Sequence, residues 1–142
     1  MFRFQLVTLS GTKFDDSVYE VVLPTLEGQI GVLSHHMPLV SVVDNGAIMV
    51  RRAERDPDNA REFYATNGGV IEVADNSLRL LVDEADNAEE INEAEAQAAL
   101  ERAKTMRAEA KDQISLDHAQ SLMDRQSVRL QVASLKRRHQ RR

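Results

Sequence analysis

The sequence predicts a β + α protein: an N-terminal β-sandwich of about ten short strands, then a C-terminal antiparallel two-helix hairpin. Three observations predict it. All 6 Gly, all 3 Pro and all six aromatics (Phe2, Phe4, Phe14, Tyr19, Phe63, Tyr64) lie at or before residue 69 of 142. Turn residues recur every 8–12 positions through that stretch, the spacing that small sandwiches and barrels show. From residue 85 the apolar period lengthens to 3 and 4 and Ala becomes frequent. The expected domains are therefore 1–84 and 85–142.

The first strand is read from Phe2, Phe4 and Leu6 alternating with Arg3, Gln5 and Val7, a period near 2. Further strands are expected at 19–23, 40–43, 47–50, 62–66, 70–73 and 78–82, where β-branched residues cluster. Turn chemistry separates them at Ser10-Gly11, Asp15-Asp16, Glu27-Gly28, Asp44-Asn45-Gly46, Asp56-Pro57-Asp58-Asn59, Asn67-Gly68-Gly69 and Asp75-Asn76. No segment before residue 85 offers a long helical pattern.

Asp86 and Asn87 are the expected N-caps of the first helix, with Glu89 and Glu90 closing a capping box. Ala99, Ala103, Met106, Ala110 and Ile114 form one stripe along it. A break is expected within 111–117, with Ser115 and Asp117 capping the second helix. That helix carries Leu116, Ala119, Met123, Gln126, Leu130 and Ala133, a heptad-like seam with one polar position. Two antiparallel helices joined by a short turn fit the pattern. Ala burial contributes little at roughly 25 cal/mol per Å², so docking onto something else is expected to set the hairpin's position.

Several function classes lose support. The chain has no Cys, which removes disulfides, thiol nucleophiles and Cys-built metal sites. No apolar run approaches the ~20 residues of a membrane-spanning helix, so no direct membrane insertion is expected. The opening Met-Phe-Arg-Phe-Gln-Leu lacks signal- or transit-peptide character, which predicts a protein in or facing the cytosol. Adjacent His35 and His36 cannot both face one ion from a strand and read as a loop pair. Asp15-Asp16 reads as solvated turn carboxylates. Gly68-Gly69 belongs to no phosphate-binding motif, and no nucleophile elbow exists. No catalytic, metal or cofactor site is expected, and the chain is not an enzyme by itself.

Charge is distributed unevenly. Residues 1–84 carry 7 basic and 13 acidic side chains, residues 85–117 carry 4 and 9, and residues 118–142 carry 7 and 1. The net charges of −6, −5 and +6 sum to the overall −5. His118, Arg125, Arg129 and Lys136, at spacings of 7, 4 and 7, line one face of the second helix, opposite its Leu116–Met123–Leu130 seam. Arg137, Arg138, Arg141 and Arg142 follow. Such a stripe seeks an acidic partner. A nucleic-acid-binding adaptor is the alternative reading; the absence of aromatics after residue 64 and the acidic balance before 118 weigh against it.

Two blocks carry a resemblance. Glu27-Gly28-Gln29-Ile30-Gly31-Val32-Leu33-Ser34-His35-His36-Met37-Pro38-Leu39, followed by Asp44-Asn45-Gly46-Ala47-Ile48, resembles the signature loop of the epsilon subunits of bacterial F-type ATP synthases. Phe63-Tyr64-Ala65-Thr66-Asn67-Gly68-Gly69-Val70-Ile71-Glu72-Val73, with Asn76 and residues 78–86, resembles that family's second signature. The similarity runs through the whole chain. It implies a rotor subunit in the central stalk of a proton-translocating enzyme, set between gamma and the ring of c subunits. It also implies a peripheral location on the cytoplasmic face of the bacterial plasma membrane.

The resemblance further implies a hairpin that folds onto the sandwich or extends along gamma, inhibiting ATP hydrolysis. Glu27, Gly28, Gln29, Ile30, Gly31 and Val32 match the segment facing the c ring. Arg125, Arg129 and Lys136 match the hairpin region that meets an acidic segment of the beta subunits. Two departures stand out. Ser34-His35-His36 replaces the family's usual Pro-Gly-His. Where some relatives bind ATP through Ile/Leu-Asp-x-x-Arg-Ala, this chain has Ile91-Asn92-Glu93-Ala94-Glu95-Ala96. Glu in place of Arg brings like charge toward phosphate and removes a bidentate donor. Calorimetric titration of the isolated chain with ATP is therefore expected to give no low-micromolar binding; such binding would overturn this reading.

Overall fold

In a computed structural model of the chain, residues 1–141 are described, and Arg142 of the basic tail lies outside them. The elements in order are β1 (Phe2–Thr8), β2 (Gly11–Val18), β3 (Glu20–Thr25), β4 (Gly28–Val32), β5 (Leu39–Arg51), β6 (Glu62–Ala74), β7 (Ser77–Val82), β8 (Ala85–Asn87), α1 (Glu93–Glu109) and α2 (Gln113–Gln140). Hydrogen bonding follows the order β2-β1-β7-β6-β5-β3-β4, with β8 added on β6. Only β1 and β7 pair in parallel; the other neighbours run antiparallel.

Among the described residues the strands number eight rather than about ten: two expected turns lie inside strands, merging 40–43 with 47–50 and 62–66 with 70–73, while β2, β4 and β8 join the segments expected from the residues. β5 runs through Asp44-Asn45-Gly46 and β6 through Asn67-Gly68-Gly69, each reaching 13 residues. These segments pair with each other, Asn45 opposite Asn67 and Gly46 opposite Thr66. Beyond the corner, β6 changes partner: residues 64–66 pair with β8, and residues 69–74 pair with β7. The Gly residues thus bend a continuous ribbon into two layers instead of ending its strands. At Gly69 φ is +150°, and a Cβ would sit 2.2 Å from the Leu81 carbonyl oxygen. Only Gly lets β6 approach β7 there.

The core between the layers is built by the inward halves of the alternating patterns. Phe4, Leu6, Leu23, Ile48, Ile71, Leu78 and Leu80 are fully buried. Phe14 touches Phe4 at 5.1 Å and meets Tyr64 edge-on at 6.3 Å, and burial pushes the Tyr64 hydroxyl up from its ordinary value. Asp15 and Asp16 do not form a turn: they lie within β2, on either side of which Phe14 and Val18 are buried. Asp15 accepts hydrogen bonds from the Arg3 guanidinium at 2.9 and 3.0 Å. Asp16 accepts one from Arg52, whose guanidinium also covers the Phe14 ring at 4.7 Å. The Asp75-Asn76 turn holds as read, both residues adopting positive φ (51° and 55°) between β6 and β7.

The helix starts shift from their expected places. Asn87 caps only a short 3₁₀ turn, Ala88–Glu90, through its bond from the Glu89 N–H. Residues 85–87, counted with the helical part on sequence, pair with β6. Asn92 caps α1, accepting from the Glu95 N–H. Asp112, rather than Ser115 or Asp117, caps α2, accepting from the Ser115 N–H at 2.7 Å. The side chain at 112 reaches the orphan amide of the third helical residue, as a cap does, whereas 115 and 117 already lie within the helix.

The hairpin seam is also narrower than expected. On α1 the buried positions are Ala96 and Ala103, seven apart, while Met106 is 43% exposed; Ile114, expected on the same stripe, lies instead in the first turn of α2 and is 84% exposed. On α2, Ala119, Gln126 and Ala133 are buried at the same seven-residue interval. The polar position Gln126 is satisfied by the Arg129 guanidinium, which donates to its Oε1 at 3.0 Å.

Gly69→Ala should lower unfolding free energy in urea by about 3 kcal/mol or more, while Gly11→Ala, with open space around its Cβ, should cost only ~1 kcal/mol. The Ser115 N–H holds the Asp112 carboxyl below the ordinary carboxylate range. A lowered native value means the cap stabilises above the unfolded-state value of about 4 and is lost as pH falls through the native one. Asp112→Ala should therefore reduce hairpin stability at neutral pH, and the gap from the parent should close in acid, as thermal melts followed at 222 nm would read.

Candidate functional site

Phe63 and Tyr64 are consecutive on β6, and both are buried, as are Ala65 and Thr66. A strand directs successive side chains to opposite faces, so β6 must be covered on both sides. Tyr64 faces the sandwich interior. Phe63 and Ala65 face the helices, packed with Ala88, Val128 and Val132 and bordered by Ala47, Met49, Ile91 and Leu135. The His139 ring closes this contact at 5.0 Å from the Phe63 ring. Val128, Val132, Leu135 and His139, spaced 4, 3 and 4, are a second stripe on α2 that the heptad reading passes over. The non-alternating run 62–66 is the matching signal in the sheet.

The basic stripe borders that apolar face. Arg125 Nε lies 2.7 Å from Glu84, Arg129 Nε 3.3 Å from Asp86, and Lys136 Nζ 3.1 Å from Glu89. In this conformation the three cations meet acids of the same chain rather than an outside surface. The Arg125 and Arg129 Nε–H groups are buried and make no aligned hydrogen bond, so charge holds these contacts rather than direction. Arg137, by contrast, donates to Glu93 at 2.7 Å, tying the end of α2 to the start of α1. His118 stands apart: it is exposed and lines a cleft of about 380 Å³ with Leu9, Asp83, Ser121 and Leu122.

The segment expected to face a ring is a hairpin tip and edge strand rather than a loop. Glu27 sits in the turn after β3, its N–H donating to Thr25 Oγ1, and Gly28 to Val32 form β4, paired to β3. Glu27, Gly28, Gln29 and Gly31 are exposed and Ile30 half-buried. Val32 is turned into the core, so it cannot belong to an outward surface. The divergent Ser34-His35-His36 turn is tied down differently. His35 takes φ +61° and donates its N–H to Asn76 Oδ1 at 2.7 Å, and the N-terminal amino group donates to Ser34 Oγ.

Away from the helices lies an exposed apolar face. Val42, Val70 and Leu81 stand opposite one another across β5, β6 and β7, with Val7 of β1 next in register. Val42, Val70 and Leu81 are half-exposed, and nearby Val40 is 76% exposed. A cleft of about 230 Å³ lined by Thr25, Leu26, Glu27, Ser41 and Val42 joins this face to the β3–β4 tip. Among the described residues no group of three or more His, Asp or Glu gathers as metal ligands. Asn92 and Glu95, the two departures from the ATP-binding pattern, are joined in the α1 cap.

A family model described as ATP synthase, Delta/Epsilon chain, beta-sandwich domain matches residues 1–88. The ATP synthase epsilon chain of Herpetosiphon aurantiacus is 32% identical over 139 residues, covering 97% of this chain and 98% of that one. The chloroplastic ATP synthase epsilon chain of Nephroselmis olivacea is 38% identical over 122 residues, covering 84% and 86%. A chain in the cryo-EM structure of the Euglena gracilis mitochondrial ATP synthase, OSCP/F1/c-ring, shares the fold. Its TM-score is 0.74 at 22% identity, over 93% of this chain and 79% of that one. Nothing in these likenesses supports the nucleic-acid-binding adaptor.

Proposed function

The chain belongs to the ATP synthase delta/epsilon family, and we propose that it works as a central-stalk rotor subunit of a proton-translocating F-type ATP synthase. The observation that carries this reading is the pair of unlike faces on one sandwich: one side covered by a basic helix, the other apolar and open. Exposed apolar surface in register across several strands is what a permanent partner covers. The Val42–Val70–Leu81 face docks gamma. The adjoining tip, through Glu27, Gly28, Gln29, Ile30 and Gly31, meets the c ring. The subunit performs no chemistry of its own and is peripheral, on the cytoplasmic face of the membrane. No helix among the described residues is long and apolar enough to cross a membrane.

The hairpin is the regulatory part. In its compact arrangement α2 covers Phe63 and Ala65; in an extended one it exchanges those contacts for gamma and the beta subunits, where Arg125, Arg129 and Lys136 meet acidic side chains. The balance is a population shift set by the difference between the two contact sets. Reconstitution with the catalytic head tests both parts. Removing residues 118–142 should raise ATP hydrolysis severalfold; an unchanged rate would sink the inhibitory role. Val42→Asp with Val70→Asp should abolish co-purification with gamma at an unaltered melting temperature, and parental yield would overturn the docking assignment.

A further inference from the structure

The three ion pairs that join α2 to the segment 84–89 have an uneven build. Arg129 and Lys136 are largely covered, with side chains 18% and 21% exposed, whereas their partners are more open, Glu89 reaching 74%. The cations are thus seated on the margin of the apolar contact, while the carboxylates stand at the solvent edge. Glu84, Asp86 and Glu89 occur at spacings of 2 and 3, just before the final strand, on it, and in the turn after it. The cations they meet span 125 to 136, about 16 Å of helix at 1.5 Å per residue. A short acidic stretch of polypeptide is therefore already laid along the stripe.

We propose that Glu84, Asp86 and Glu89 are an internal substitute for the acidic protein segment that α2 binds elsewhere, so that the segment engages the stripe only by displacing them. This rests on the reading above that the stripe has an acidic protein partner, and it adds the competitor. The chemistry supports exchange. Both sets of contacts are carboxylate with guanidinium or ammonium, and those at Arg125 and Arg129 lack aligned hydrogen bonds at Nε. The Arg137–Glu93 bond joins α2 to α1 instead, so it persists when the hairpin leaves as a unit. Pairs of this kind, with the carboxylate at the solvent edge, each contribute modestly and weaken with salt, over a Debye length of about 8 Å. The stripe lacks aromatic side chains for base stacking, which favours a protein segment over a nucleic acid.

The test uses the full chain and a fluorescent oligoglutamate peptide. Replacing Glu84→Gln, Asp86→Asn and Glu89→Gln together should tighten peptide binding about tenfold, the sum of three weak competing pairs. Glu54→Gln, Glu72→Gln and Glu109→Gln remove the same charge from exposed acids outside any ion pair or hydrogen bond and should leave affinity within about twofold. Because the chain has no Cys, labels at Ser10→Cys and Ser121→Cys, which line one cleft, report hairpin position. The first triple variant should lengthen that distance, whereas the charge swap Asp86→Arg with Arg129→Asp, which keeps the internal pair but removes a cation from the stripe, should keep the parental distance and weaken peptide binding. Equal gains in both triple variants, no gain in either, or preference for an oligonucleotide would overturn the proposal. If the chain binds the catalytic head but both triple variants inhibit it as the parent does, only the competitor idea fails. If the chain does not bind the head, the stalk-subunit reading itself fails.

Discussion

Phe63 and Tyr64 are neighbours on β6, and a pleated strand sends neighbours to opposite faces, so burying both requires a cover on each side. The sandwich supplies one cover and α2 the other. This single demand explains why a hairpin whose own buried positions are mostly Ala lies where it does. It also explains why the sandwich surface cannot be read as finished without the helices. Lifting α2 exposes an aromatic ring and its apolar surround, and that exposure is what any alternative contact must offset.

Magnitudes separate two roles in this contact. Burying a Val, Leu or Phe side chain contributes roughly 1.5–3 kcal/mol, and the face holds Phe63, Val128, Val132 and part of Leu135. Exposed ion pairs contribute about 0.2–1 kcal/mol each. Apolar burial therefore holds the hairpin down, and the charged margin sets where along the strand it rests. Salt changes that margin without touching the core.

Much of the fold is legible in the residues because the dominant signals are local. The period of two through Phe2, Phe4 and Leu6, and the absence of Gly and Pro after residue 69, mark sandwich and helix with no knowledge of contacts. Turn chemistry misleads where Gly acts as a hinge. Asn67-Gly68-Gly69 has the composition of a turn, yet β5 beside it bends in register, and only that pairing distinguishes a corner from an end. Asp15 and Asp16 mislead for a related reason: on an edge strand, carboxylates answered by Arg3 and Arg52 are as stable as in a loop. The basic stripe is legible as a stripe, but its partners Glu84, Asp86 and Glu89 are some forty residues away in sequence. No periodicity connects charges across that distance.

The two helices differ in length, 17 residues against 28. At 1.5 Å per residue α2 is the longer by about 16 Å, and its C-terminal half, from Val128 to His139, grips the sheet while Arg137 reaches the start of α1. Toward the other end, His118, Ser121 and Leu122 stand across a cleft from Leu9 and Ser10. The hairpin is therefore a cantilever, clamped at one end and free at the other. A load applied at the free end acts with a long arm and peels the clamp from Arg125 toward His139, one contact at a time. The same load drawn along the helix axis would have to shear every contact at once. Release is mechanically directional: easy by lifting, hard by pulling.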